Sequence, residues 1–307
     1  MTDLPRGVLA ALVTPLSGAL EPDTALLVAH ARRLLAQGCT GLVALATAGE
    51  ANSLSLAQRL RIVEALAASG LPMTRMIVGG GSCALDEAVT LCRAIVAAGA
   101  AGILLLPPFY YRDASAEGIA GFYTALIERV AAPQLRIVLH HRPQASGAVI
   151  TDALIHGLKE NFGAVIAGVQ NGAGDWPATQ ALLREFPELA IFSGTERFLL
   201  ETLRAGGHGS ISATLNLTAP LAGAIHAAWQ SGEADALQKE LTALRLIFDD
   251  FPTPIAQKEI LARLSNIAAW RNVLPPLLPL PAARAAALQH RLENLEPWRK
   301  IAGAWPG

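Results

Sequence analysis

Side chains able to move a proton or hold an anion recur at one kind of place in this chain, just after a short apolar run. Thr47, Ala48, Gly49 and Glu50 follow LVAL; Gly80 to Ser82 follow MIVG; Tyr110 and Tyr111 follow GILLLPPF. His140, His141 and Arg142 follow RIVL, Gln170 and Asn171 follow VIAGV, and Ser193 to Glu196 and Ser212 to Asn216 repeat the pattern. An imidazole at His140 moves protons near neutral pH; hydrogen-bonded filling is its structural alternative. Arg142 is a candidate for binding an anion, and Thr47 with the N–H groups of a turn at Ala48 is one for holding a carboxylate. Strand side chains alternate, so His140 and His141 point opposite ways. With no convergent carboxylate they make no zinc site, and no metal or cofactor is implied. Glu50 is expected to tie its loop down, and Glu196 to cap the helix after it.

The runs themselves are spaced for a barrel. β-type segments at 8–13, 42–45, 75–79, 102–106, 136–140, 165–169, 190–193 and 209–213 alternate with helical periods at 24–36, 56–68, 84–98, 116–130, 151–160, 175–185, 196–204 and 217–229. Eight such units predict an α/β fold, a (β/α)8 TIM barrel over residues 1–230. The strand-end residues above then share its C-terminal face, where such barrels carry their sites. Over 231–307 only helical stretches follow, near 233–248, 253–264 and 281–294, with PLLPLP as a stiff connector. They predict a C-terminal helical extension packed on the barrel as one structural unit. A doubly wound nucleotide-binding sheet is the rival, resting on VGGGS at 78–82. That string lacks GxGxxG spacing, and no acidic residue ends the next strand to hold a ribose. A tight turn with Ser82 capping the next helix accounts for it.

Composition narrows the partners. The 307 residues are 52% hydrophobic and 16% charged, with a net charge of −1, which suits a sheet buried under amphipathic helices. Neither a nucleic-acid face nor a membrane-surface helix is indicated. Cys39, Cys83 and Cys92 show no CxxC or metal spacing, and the N-terminus has no basic signal-like region, so the expected address is the cytoplasm.

Several strings fall in the order and spacing of one family. ALVTPL, ATAGE with SLSLAQR, VGGGS, PPFYY, LHHRP, AGVQ, SGTE, GGHGSISATLNLTAP and PTPIAQKEIL resemble the dihydrodipicolinate synthase and N-acetylneuraminate lyase family over about residues 6–280. The resemblance implies a (β/α)8 barrel with C-terminal helices and a homo-oligomer, a dimer or a tetramer of two tight dimers. It implies a lyase or aldolase acting on pyruvate or another 2-keto acid, so the partner is a small carboxylate. Thr47 and Ala48 match the family's carboxylate-binding GTTGE, and Ile211 matches a position whose carbonyl lines the pocket. Tyr111, or its neighbour Tyr110, matches a tyrosine that crosses the tight dimer interface.

The catalytic end departs from that pattern. The family's imine-forming lysine sits in IVGIKE, which reads IAGVQN here, so Gln170 takes its place. An amide nitrogen is delocalised and forms no iminium. The proton-shuttling tyrosine of YNVP matches His140, and the synthases' later arginine matches Ala145. Lys159, Lys239, Lys258 and Lys300 are the only lysines, and none falls at a strand end. These departures predict no ordinary synthase activity. They leave a lyase, hydratase or epimerase working without an imine, or a non-catalytic carboxylate-binding, regulatory or structural barrel. Gln170→Lys alone is expected to give at most slow imine trapping by pyruvate and borohydride, seen by intact mass, without restoring synthase turnover.

Overall fold

A parallel strand pair needs a long crossover rather than a hairpin, and a right-twisted sheet of such units closes once it has about eight strands. The computed structural model describes residues 4–305 and shows this closure. Strands β1 (Gly7–Ala11), β2 (Gly41–Ala44), β3 (Met76–Gly79), β4 (Gly102–Leu105), β5 (Ile137–His141), β6 (Ile166–Asn171), β7 (Ala190–Ser193) and β8 (Gly209–Ser212) pair in chain order, all parallel, as a closed barrel. The connecting helices are α1 (Thr24–Ala36), α2 (Leu56–Ala68), α3 (Leu85–Ala97), α4 (Ala116–Val130), the single turn α5 (Pro143–Ser146), α6 (Asp152–Phe162), α7 (Trp176–Glu185), α8 (Leu199–Arg204) and α9 (Leu215–Ala228). Beyond them lie α10 (Glu233–Asp249), α11 (Ile255–Ser265), α12 (Ala282–Glu293) and α13 (Glu296–Gly303). The last was not expected from the sequence; Pro297 sits in its first turn, and Trp298 and Ile301, three apart, are the side chains it buries. Among the described residues no helix is long and apolar enough to cross a membrane.

Local chemistry sets several of these boundaries. In SLSLAQR, Ser55 Oγ accepts from the Gln58 N–H at 3.2 Å while Gln58 Oε1 accepts from the Ser55 N–H at 2.9 Å, a reciprocal cap that starts α2. Ser82 does not cap α3 as expected. The residue before α3 is Ala84, and the Ser82 hydroxyl lies two residues upstream, donating to Glu87 at 2.9 Å. The glycines of VGGGS serve packing instead: a Cβ on Gly79 would come within 1.9 Å of the Leu45 carbonyl oxygen.

Two apolar layers result from the alternation of strand side chains. Leu9, Val43, Ile77, Leu104, Val138 and Ile211 fill the barrel interior, and their cluster continues without a break into Phe248, Ile255 and Trp298 of the helices beyond α9. The barrel closes between β1 and β8, where Gly209 at φ +116° leaves no room for a Cβ beside the Gly7 carbonyl. Asn216 pins this seam from α9. Its Nδ2 donates to the carbonyls of Ala11 and Ala213, both at 2.7 Å, and its Oδ1 accepts from the Val13 N–H at 3.3 Å and pairs with His30 Nε2 at 2.8 Å. Pro220 lies four residues further along α9 and has no N–H to offer the Asn216 carbonyl. Arg33 supplies the missing donor at 3.1 Å.

Glu50 does tie its loop down, and the anchor is in α11. Lys258 Nζ lies 2.5 Å from Glu50 Oε1, the Leu274 N–H donates to Oε2 at 2.7 Å, and both charged side chains are fully buried. The ion pair thus welds the β2–α2 loop to the extension. Lys258→Met, which leaves Glu50 buried and uncompensated, is expected to cost about 3–5 kcal/mol. Lys258→Met combined with Glu50→Gln should cost less than Lys258→Met alone, as measured by urea unfolding.

Candidate active site

Inward-facing positions recur at every second strand residue, so His140 stands above Val138 and Gln170 above Gly168. The register of β5 and β6 sets His140 directly beside Gln170. Both are buried and line a cavity of about 70 Å³ at the C-terminal ends of the strands. That is several times the roughly 10–15 Å³ a single water needs. Thr47, Ala48, Arg142 and Ile211 line the same cavity, and a lobe of about 20 Å³ shares Thr47, Leu104 and His140 with it. Six of the eight predicted site residues are therefore brought together.

Tyr110 and Tyr111 are the two that are not. They pack edge to face on the β4–α4 loop with ring centroids 5.3 Å apart, and each is about three-quarters exposed (75% and 76%). Ala145 is also exposed and outside the cavity. His141 points away from His140, as alternation requires, and its Nδ1 accepts from the Ile150 N–H at 3.2 Å. No lysine lines the cavity, and Lys258 is held in its ion pair with Glu50.

The Gln170 amide is oriented by its neighbour. Its Nε2 donates to the Ile211 carbonyl at 3.3 Å, which fixes which end of the amide is nitrogen and leaves Oε1 buried without a partner. The ring of His140 has no hydrogen-bond partner among the described residues, so it is not the hydrogen-bonded filler that was its alternative. Burial, reinforced by the positive charge of Arg142 and by His141, holds its pKa down to about 3. His140 is a neutral imidazole in the free protein.

Arg245 is the cavity residue that sequence reasoning missed. It comes from α10, where Arg245 and Asp249 four residues apart look like an ordinary solvated helix pair. Folding turns its Nη1 inward, 3.1 Å from Ser212 Oγ, 3.2 Å from Thr214 Oγ1 and 3.4 Å from Glu196 Oε2. Burial opposes its charge, but Glu196 and Asp249 outweigh burial and raise its pKa. Glu196 accordingly does not cap a helix: it is fully buried against Arg245, the Thr195 side chain caps the short 3-10 turn Glu196–Phe198, and α8 after it has no side-chain cap. Arg142, half-buried, has no ion-pair or hydrogen-bond partner for its guanidinium among the described residues. Burial and the nearby charge of Arg245 both lower its pKa. Two guanidinium groups therefore line the cavity: that of Arg245 is neutralised by Glu196 and Asp249, and that of Arg142 has no counter-ion among the described residues.

The comparisons with known proteins bear on this geometry. Residues 4–295 match the dihydrodipicolinate synthetase family. The chain belongs to that family. A DapA-like lyase of uncharacterized activity from Chloroflexus aurantiacus is 34% identical over 293 residues, covering 95% of this chain and 97% of the relative. Dihydrodipicolinate synthase from Agrobacterium tumefaciens superimposes with a TM-score of 0.86 at 27% identity, over 94% of this chain and 99% of that one. The chloride-inhibited synthase from Acinetobacter baumannii, solved with pyruvate, gives 0.85 at 26% identity, over 97% and 99%.

In this member of the dihydrodipicolinate synthetase family the neutral state of His140 has a thermodynamic consequence. His30, buried between Arg33 and Asn216, is likewise held down to about 3, chiefly by burial. The unfolded chain takes up these protons near pH 6.5, so the stability they support is complete above that pH and is lost as pH falls toward 3. Each contributes a slope of about 1.4 kcal/mol per pH unit inside that window. His140→Asn should flatten the loss between pH 6.5 and 5 by about that amount, as measured by chemical unfolding at a series of pH values.

Proposed function

We propose that this protein binds a small keto or hydroxy acid and carries out a lyase- or hydratase-type step on it without forming an imine. One observation supports this above the rest: the cavity gathers the hydroxyl residues Thr47, Ser212 and Thr253, an amide, a neutral imidazole and two guanidinium groups around its small volume, and no amine. The Thr47 turn and the arginines suit a carboxylate, and pyruvate is the ligand in the related Acinetobacter baumannii structure. Burial is the main cause of the depressed basicity of His140, and a bound anion beside Arg142 offsets the positive charge that adds to it. The imidazole then becomes a better base, placed to take a proton from carbon or to return one to a departing hydroxyl. Before that its N–H is a neutral donor for an oxygen on which negative charge develops.

A second reading is a carboxylate-binding barrel without catalysis, and the depressed pKa of His140 favours it, because such an imidazole is a weak base near neutral pH. Either form is consistent with a homo-oligomer, dimer or tetramer, in which the exposed Tyr110 and Tyr111 reach a second copy. Incubation with pyruvate and borohydride is expected to add no mass to the intact chain, and an adduct would refute the imine-free mechanism. Pyruvate and related acids should raise the melting temperature under both readings. Turnover of any of them, unaffected by borohydride, would establish the first and exclude the second.

A further inference from the structure

Two unmet needs in the cavity specify more than a carboxylate. The first is a charge. Arg142 lies half-buried at the cavity wall, unpaired, close enough to Arg245 for repulsion, while Arg245 already holds Glu196 and Asp249. An unpaired charge drawn out of water is costly, and the anion that would relieve it must come from outside the chain. The second is a hydrogen bond. Gln170 Oε1 is a buried acceptor with no donor, and it cannot exchange places with Nε2 without setting an oxygen against the Ile211 carbonyl. A keto oxygen offers Oε1 only another acceptor. A hydroxyl offers it a proton.

We infer that the ligand of this site is a hydroxy acid with a second anionic group, its hydroxyl donating to Gln170 Oε1 and its second carboxylate pairing with Arg142. The inference rests on the cavity being a carboxylate site. It assigns the first carboxylate to the Thr47 turn, on the wall that Thr47 and Ala48 supply, and the second to Arg142. Arg142 then sets specificity for charge, and Gln170, at the end of β6, sets the preference for hydroxyl over ketone. Ala145, exposed and outside the cavity, takes no part in holding the second anion.

Calorimetric titration of the full-length wild-type protein tests this with four probes: lactate, pyruvate, 2-hydroxyglutarate and 2-oxoglutarate. The hydroxy dicarboxylate is expected to bind at least about tenfold more tightly than either the hydroxy monocarboxylate or the keto dicarboxylate, the scale of one charge-assisted or otherwise unmade buried hydrogen bond. Arg142→Gln should bring the ratio of dicarboxylate to monocarboxylate affinity close to one. Gln170→Met, of similar length and without the acceptor, should abolish the preference for hydroxyl over ketone. Equal affinity across the four wild-type titrations, or tighter binding of the keto acids, would overturn the inference while leaving the carboxylate site standing. Binding of none of the four would overturn both.

Discussion

Closure of the barrel between β1 and β8 is the constraint on which every other feature depends. An open edge would leave backbone groups unpaired and would let the strand ends splay, and no cavity would form at their tips. Asn216 meets the constraint with a fully used side chain, two carbonyls on its nitrogen and two donors on its oxygen. Its neighbours match it in chemistry: His30, kept neutral by burial and by Arg33, pairs with its oxygen, and Arg33 takes the carbonyl that Pro220 leaves free. With the ring closed, neighbouring strands keep one register, which is what sets His140 beside Gln170 and sets Gln170 within reach of the Ile211 carbonyl.

The helices beyond the barrel shape the site rather than decorate it. Lys258 reaches from α11 to Glu50 and holds the loop that carries Thr47, and Arg245 reaches from α10 into the cavity itself. These two contacts act differently. The first is a buried, mutually neutralising pair that fixes position. The second neutralises Arg245 but leaves Arg142 as the one cavity guanidinium without a counter-ion among the described residues, because neither carboxylate that Arg245 engages pairs with it. A partly dehydrated cavity with an unpaired guanidinium and no amine suits anions held by hydrogen bonds, and it depresses the basicity of the one imidazole it contains.

Much of this was legible before folding. Short continuous apolar runs alternating with period-3.6 segments determine a (β/α)8 barrel, and the alternation of strand side chains puts His140 inward and His141 outward. The absence of lysine from the strand ends is a property of the sequence, as are the presence of Thr47, Ala48, Arg142 and Gln170 at those ends. These follow from short-range rules, because the direction of a strand side chain depends only on its position along its own strand. Other features were decided by tertiary structure. Ser82 failed to cap α3 because the helix begins two residues further on, after Ala84, whose N–H donates to the Ser82 oxygen, and Glu196 became a buried counter-ion because Arg245, 49 residues away, folded over it. Whether Arg142 is paired, whether Gln170 Oε1 finds a donor and how far His140 is depressed all depend on atoms brought together from distant segments. Charge and hydrogen-bond balance are sums over a neighbourhood, and only the closed barrel defines the neighbours.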